Sequence, residues 1–262
     1  MPIARTDFIA GMAKGLAVLE SFDTQRQRLN ATLAAQRAGI TRAAARRHLL
    51  TLAHLGYLET DGSYYWLSPK VLRFSGSYLA SSRLPRVMQP TLDRLALQSG
   101  DAASAVVLNG AEVVIVARGA QSVVSANAPL LAYGLHLGAR LPAHATSTGL
   151  AILAAQTKTQ LSTWLKAHAV LQSLPRLTVH TTTDVKQFRA LVEQTRQADH
   201  ALAVQTHELG VQALAVPVRN LQGHVVAAIN LVCSPMRRDA QAMRRELLPL
   251  LEAGARELRV LV

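Results

Sequence analysis

LAAQRAGITRAAARRHLLTLAHLGYL, residues 33–58, reads as helix, tight turn, helix. Asn30 or Thr32 starts the first helix, which runs through Ala38, and Gly39 closes it at the position after the cap. Thr41 is a natural N-cap for a second helix reaching about His54, and Gly56 stops it. From Thr24 to Leu58 there is no acidic residue, while six arginines (Arg26, Arg28, Arg37, Arg42, Arg46, Arg47) and two histidines are present. A slim, basic helix-turn-helix is a shape that enters a DNA groove. Ala45, Leu49 and Leu52 fall on one side of the second helix at helical spacing. Arg42, Ala43, Arg46 and Arg47 lie toward the other.

The flanking sequence extends this unit. Residues 8–22 repeat apolar side chains at helical spacing (Ile9, Met12, Ala13, Leu16, Leu19), which predicts one amphipathic helix. YLETDGSYYWL, residues 57–67, predicts two short strands around an Asp61-Gly62 turn. Three helices and a hairpin make the winged form of the helix-turn-helix. Arg42 and Arg46 are assigned as readers of base edges, because guanidinium forks onto guanine O6 and N7. Arg47 is assigned to phosphate or to bracing the fold, Ala43 and Ala44 to close approach, and Ser63 and Tyr64 in the wing to the sugar-phosphate backbone; Thr41, at the head of the helix, is counted with the DNA-binding residues. The competing reading is a solvated basic face. The turn, the alanines, the wing and the missing acids weigh against it.

The whole chain bounds the partners further. It has 262 residues, half of them hydrophobic, and a formal net charge of +12. Residues 1–83 hold 11 basic and 5 acidic side chains, and residues 84–262 hold 17 and 11. Each part carries +6, so the excess is concentrated at the N-terminal end, as for a small domain that meets phosphate. Cys233 is the single cysteine, which excludes an intrachain disulfide and Cys-based zinc sites. The opening MPIARTDFIAGMAKG has no secretory pattern, and no apolar run approaches the roughly 20 residues of a membrane span. A cytoplasmic protein with no membrane contact is expected.

Past Ser68-Pro69 the texture changes. KVLRFSGSYLASSRL predicts a linker helix ending before Pro85, and MQPTLDRLALQSG predicts another helix. Two β-rich blocks follow, ASAVVLNGAEVVIVARG and LAVPVRNLQGHVVAAINLVC, each a hairpin around Asn109-Gly110 or residues 220–223. Three helical stretches separate them, and RRDAQAMRRELLPLLEAGARELRVLV closes the chain as a helix. The expectation is an α+β protein with a mainly antiparallel sheet. It divides into a DNA-binding domain (1–68), a linker helix (69–86) and a larger C-terminal domain (87–262).

Residues 146–149, Thr-Ser-Thr-Gly, open one of these helices. Its first amides lack internal partners and attract anions. Thr146, Ser147 and Thr148 add hydroxyls and Gly149 removes bulk, so a small carboxylate is the natural occupant. An ordinary hydroxyl N-cap is the plainer alternative. Arg118, Arg140 and His144 are the nearby candidates to pair with a carboxylate or phenol. His136 with His144, and His200 with His207, lack further ligands at metal spacing, so no metal and no cofactor are expected. No Gly-x-Ser-x-Gly elbow, phosphate loop or HExxH is present, and no catalytic residue is assigned. Cys233, following VVAAINLV, reads as a buried structural thiol.

AGITRAAARRHLLTLAHLGYL with YYWLSPKVLRFSGSYL resembles the N-terminal domain of IclR-type bacterial transcriptional regulators, and FIAGMAKGLAVLESF fits that family's first helix. RLPAHATSTGLAILA and HELGVQALAVPVRNLQGHVVAAINL resemble two stretches of its effector-binding domain. TRAAARR with GARLPAHATSTG is most similar to the subgroup governing catabolism of aromatic acids such as protocatechuate and 4-hydroxybenzoate. The resemblance covers nearly the whole chain. It implies a double-stranded DNA operator, a GAF-like effector-binding and oligomerisation domain at 87–262, control of a catabolic operon by a small aromatic carboxylate, and a homodimer or dimer of dimers. It also implies a pocket at the residue-147 helix start facing the late strands, which brings in Ala213 and Asn230. Glu208 is then a ligand contact or a support of the pocket. Two departures stand out. Leu150 replaces the family's usual Lys or Arg, and Val204 and Thr206 stand where the subgroup often carries further acids; the effector class can therefore differ. A DNA-binding structural protein without an effector is the other reading, and an enzyme acting on a small acid is a more distant one.

Overall fold

The computed structural model describes residues 3–4, 6–23, 26–119 and 136–262; Thr24, which opens the acid-free stretch, lies outside them. The chain forms two compact units, Met1–Ser81 and Ser82–Val262.

The first unit begins with α1 (Ala10–Leu19), α2 (Ala31–Ala38) and α3 (Arg42–His54). Asn30 Oδ1 accepts from the amides of Thr32 and Leu33, and Gly39 ends α2 with φ 63°. Thr41 Oγ1 accepts from Ala44 N at 3.3 Å and caps α3. The helix limits therefore follow the capping residues closely. The strands β1 (Leu58–Thr60) and β2 (Tyr65–Leu67) pair antiparallel with Thr60 opposite Tyr65. The connection is thus four residues, 61–64, rather than a two-residue Asp61-Gly62 turn. Asp61 causes the difference: its Oδ1 accepts from both Ser63 N and Tyr64 N, which extends the loop. Leu29 bridges to Tyr65 as a third short pairing. Val18, Leu29, Ala34, Ala45, Leu49, Leu58 and Tyr65 form the core. α4 (Leu72–Ser81) completes the unit, with Phe74 stacked on Tyr57. Much apolar surface stays exposed: Phe8 and Ile9 just ahead of α1, Met12 and Leu16 on it, and Leu72, Phe74 and Tyr78 on α4.

The second unit opens with α5 (Arg83–Ser99). The preceding helix α4 ends at Ser81, ahead of Pro85 as expected, but α5 begins earlier than the expected helix and takes in Pro85. Pro85 sits in the first turn, where its missing N–H has no intrahelical partner to lose. Next come β3 (Ala102–Asn109), β4 (Glu112–Arg118), β5 (Arg140–Pro142), α6 (Ser147–Ala155), α7 (Lys158–His168) and α8 (Val185–Ala198). β6 (Ala201–Val204), β7 (Gln212–Arg219) and β8 (Val225–Cys233) follow. The unit closes with α9 (Ala240–Ala242), a π-turn at Met243–Leu247 and α10 (Leu248–Leu258). The widened turn precedes Pro249, which has no N–H to give the carbonyl four residues back. Six strands form one antiparallel sheet in the order β5-β4-β3-β8-β7-β6. The fold is α+β, as expected. The short edge strands β5 and β6 carried no separate signal in the sequence. The sheet divides two cores: Leu153, Leu165, Phe188 and Val192 pack on one side, and Met88, Leu92, Met243 and Leu251 on the other. Among the described residues no helix is long and apolar enough to cross a membrane.

Asp101, at the start of the sheet, is the most buried charge, with its side chain 1% exposed. It pairs with Arg237 at 2.9 Å and with Arg238, which is itself 16% exposed. Both arginines also donate to carbonyls at the end of α5, Arg237 to Ser99 and Gly100 and Arg238 to Ser99. Burial pushes the Asp101 carboxyl up and the two guanidiniums pull it down. Asp101→Ala removes the buried carboxylate and leaves Arg238 with only the exposed Glu246 as an ion partner, at 3.0 Å, and a loss of about 3 kcal/mol is expected. Asp199→Ala, at the far more exposed pair with Arg219, is expected to cost under about 1 kcal/mol. Urea unfolding of the two variants checks the ordering.

Candidate functional site

In the first unit the helix α3 exposes Arg42, Ala43, Arg46 and Arg47 and buries Ala45, Leu49 and Leu52. The capping residue Thr41 is exposed beside them. None of these three arginines forms an ion pair among the described residues. Two other arginines of the acid-free stretch are engaged: Arg37 with Asp23, and Arg28 with Asp61 at 3.5 Å and over the Trp66 ring at 4.3 Å. The unneutralised charge is therefore concentrated on the face of α3 that the fold leaves open. Ser63 and Tyr64 are exposed in the wing loop. The wing is fixed at its base, where Ser68 Oγ donates to Gly56 O and Lys70 Nζ to Leu55 O at 2.6 Å. Asp61 is held below the usual carboxylate range, chiefly by the amides of Tyr64 and Ser63 and also by Arg28.

In the second unit a cleft of about 700 Å³, counted to its open mouth, lies between the start of α6, the sheet and the loop after β6. Thr146, Ser147, Thr148, Glu208, Ala213 and Asn230 all line it. The hydroxyls at the helix start divide the work. Thr146 Oγ1 accepts from Gly149 N at 3.2 Å and donates to Pro142 O, so it is the cap. Ser147 is 1% exposed and its Oγ has no hydrogen-bond partner among the described residues. A buried hydroxyl without a partner costs about 1–3 kcal/mol, which marks a place for a polar guest.

The other expected residues stand around the cleft rather than in its lining. Gly149 lets α6 press on the strand end before it, since a Cβ there would collide with the Ala143 carbonyl. His144 is buried and its Nε2 meets Pro175 O at 2.9 Å. Arg140 pairs with Glu112 at 3.1 Å on the edge of the sheet. Arg118 is half-buried at the end of β4, and its carbonyl accepts from Gln89. Leu150 packs in the core, so the position where the family usually carries a cation does not face the cleft.

Four polar lining residues were not assigned to the site from the sequence: Ser104, Thr206, His207 and Gln212. Thr206 Oγ1 donates to Ala145 O at 2.7 Å and ties the loop to the approach of α6. Thr178 and Thr181 donate to Gln205 O and Thr206 O, each at 2.7 Å, from the other side. Gln212 spends its amide on Arg238 O and Cys233 Sγ. Ser104 interrupts an apolar strand, as Asn230 does in β8; a lone polar residue in a fully buried strand is the signal that could have found them. Among the described residues no cluster of three His, Cys, Asp or Glu could hold a metal.

A helix-turn-helix with an open arginine face and a second unit built around a small-molecule cleft together define a DNA-binding transcriptional regulator. Similarity to known proteins agrees. Residues 11–62 match the IclR helix-turn-helix domain, and residues 76–260 match the C-terminal region of bacterial transcriptional regulator IclR. The chain belongs to the IclR family. It is 47% identical over 259 residues to the Pca operon regulatory protein of Acinetobacter baylyi, covering 98% of this chain and 90% of that one. It is also 47% identical over 260 residues to the p-hydroxybenzoate hydroxylase transcriptional activator of the same organism, covering 99% and 94%. The inducer-binding domain of PobR from Acinetobacter, solved as a double mutant with 3-hydroxybenzoic acid, superposes with TM-score 0.61 at 40% identity, covering 69% of this chain and all of that one.

Burial holds both His144 and His207 below their ordinary value of 6.5; the Glu208 carboxylate partly opposes this at His207, and His144 adds to it. An unfolded chain then takes up these protons before the folded one. Their stabilising contribution is complete above pH 6.5 and is lost as pH falls below it toward the folded values. Thermal unfolding followed from about pH 7 to about pH 5 is expected to fall more steeply for the native chain than for a His144→Gln, His207→Gln double variant.

Proposed function

We propose that this chain is a cytoplasmic, homo-oligomeric, ligand-responsive regulator of a catabolic operon, that it senses a small aromatic carboxylate, and that it catalyses no reaction. In this reading residues 1–68 grip the operator, residues 69–86 link, and residues 87–262 bind effector and assemble the oligomer. The observation that carries the effector assignment is the partnerless Ser147 hydroxyl, buried in the cleft at the start of α6. The first amides of that helix have no intrahelical acceptors, and the helix dipole favours an anion there. A carboxylate accepts from the hydroxyl and the amides together. Thr146, Thr148, Glu208, Ala213 and Asn230 complete the wall, with His144 and Gly149 shaping it and Arg118 lending positive charge, while Arg140 is spent on Glu112. The apolar lining, which includes Val106, Ile115, Leu141 and Val232, suits an aromatic ring. The named relatives concern pca and p-hydroxybenzoate genes, which supports the same chemical class.

On DNA, Arg42 and Arg46 read base edges, while Arg47, Thr41 and Ala43 sit close to the duplex and Ser63 and Tyr64 meet the backbone. A single reading helix covers a short half-site, so two copies give usable specificity. The exposed apolar side chains of α1 and α4 are the surfaces offered for self-association. The effector favours one arrangement of the DNA-binding units over another and shifts that population.

Two measurements test this reading. Arg42→Ala and Arg46→Ala are each expected to weaken operator binding by about 1–3 kcal/mol and to relax base preference, seen by gel shift; unchanged affinity in both removes them as readers. An aromatic acid at 100 times its Kd is expected to stabilise the protein by about 2.7 kcal/mol in a thermal-shift screen. Ser147→Ala is expected to lose most of that shift. A shift retained in full by this variant would exclude the α6 start as the carboxylate site.

A further inference from the structure

We infer that the Ser104–Asn230 pair is the element of the cleft that selects effectors carrying a ring hydroxyl over the bare aromatic acid. The inference rests on the carboxylate reading of the cleft and adds the group that reads the rest of the molecule.

Ser104 on β3 and Asn230 on β8 lie directly opposite each other in the central strand pair. They are 3% and 8% exposed, and both line the cleft. Around them the sheet presents Val106, Ile115, Ala203, Ala213 and Val232, so the pair is a polar island in an apolar wall. Ser104 Oγ donates to Asn230 Oδ1 at 2.6 Å. That bond fixes what remains. The amide oxygen faces its neighbour, and the Asn230 Nδ2 hydrogens have no partner among the described residues. The serine oxygen keeps its lone pairs. The pair therefore offers a fixed donor and an acceptor side by side. A phenolic hydroxyl accepts from the amide and donates to the serine oxygen. A bare ring edge can do neither, and it takes water from the donor without replacing that hydrogen bond.

The other polar groups of the wall are less suited to this task. Thr146 and Thr206 spend their hydroxyl hydrogens, and Gln212 its amide hydrogens, on backbone or sulfur partners, so none of them offers a donor. Glu208 is exposed, so water competes for its oxygens, and His207 is only partly buried. Discrimination by a missing hydroxyl is large where the unpaired group is buried and small where water replaces the ligand.

The test uses the full chain and calorimetric titration with benzoate, 3-hydroxybenzoate, 4-hydroxybenzoate and 3,4-dihydroxybenzoate. The native chain is expected to bind at least one hydroxylated acid about ten times or more tighter than benzoate. Ser104→Ala and Asn230→Ala are each expected to bring that ratio within about threefold, whatever happens to the absolute affinities, and His207→Gln is expected to preserve it. The ratio read within one variant is insensitive to a general loss of stability, and Ser104→Ala removes only one oxygen. A native chain that binds the acids without preference overturns the inference, as does a preference that survives both variants or one that disappears only with His207→Gln. If none of the four acids binds the native chain, the carboxylate reading itself falls and takes this inference with it.

Discussion

The seat of α6 against the strand end before it is the contact on which the sensing unit depends. Gly149 has no Cβ, so the helix backbone comes down onto Ala143. Thr146 then spends its hydroxyl on the cap, and Ser147 is left buried with nothing to bond. One close approach thus seats the helix start beside the cleft and leaves a buried hydroxyl there with no partner among the described residues. A cap that satisfied everything would have left no polar vacancy. In the proposed reading, the stability forgone at Ser147 is available to a ligand as binding energy.

The remaining cleft wall is held from several sides so that this arrangement persists. The loop carrying His207 and Glu208 is tied by the hydroxyls of Thr178, Thr181 and Thr206. Gln212 fastens the wall to Arg238, which with Arg237 clasps Asp101 and the end of α5. Buried charge is tolerated at Asp101 because two guanidiniums compensate it. The DNA-binding unit uses charge in the opposite way. Its arginines on α3 are left uncompensated, and Arg28 and Arg37 are the ones drawn into local ion pairs.

Much of this is legible in the amino-acid sequence. Asn30, Gly39 and Thr41 fix helix limits through local hydrogen bonds and a left-handed φ, so the two helices within residues 31–54 follow from the residues at their ends. The hairpin turns around Gly110 and residues 220–223 are equally local. What resisted reading depended on distant partners. β5 and β6 are three and four residues long and exist because β4 and β7 pair with them. The four-residue wing loop follows from one carboxylate accepting two amides. Arg140 is a plausible anion partner by proximity in sequence, but it lies at the sheet edge, opposed by Glu112.

The sequence by itself determined the class of molecule: a basic reading helix with its caps and wing, an α+β unit behind it, and a helix start rich in hydroxyls. These are statements about periodicity, charge and short-range bonding, which neighbouring residues settle among themselves. Only the tertiary structure decided which hydroxyl is a cap and which is free, that Ser104 faces Asn230 across 126 residues of chain, and that Leu150 turns into the core. Those outcomes depend on the close approach at Gly149 and on strand register, which the apolar pattern of both strands and the turns between them set together, so that β3 alone does not name its partner on β8.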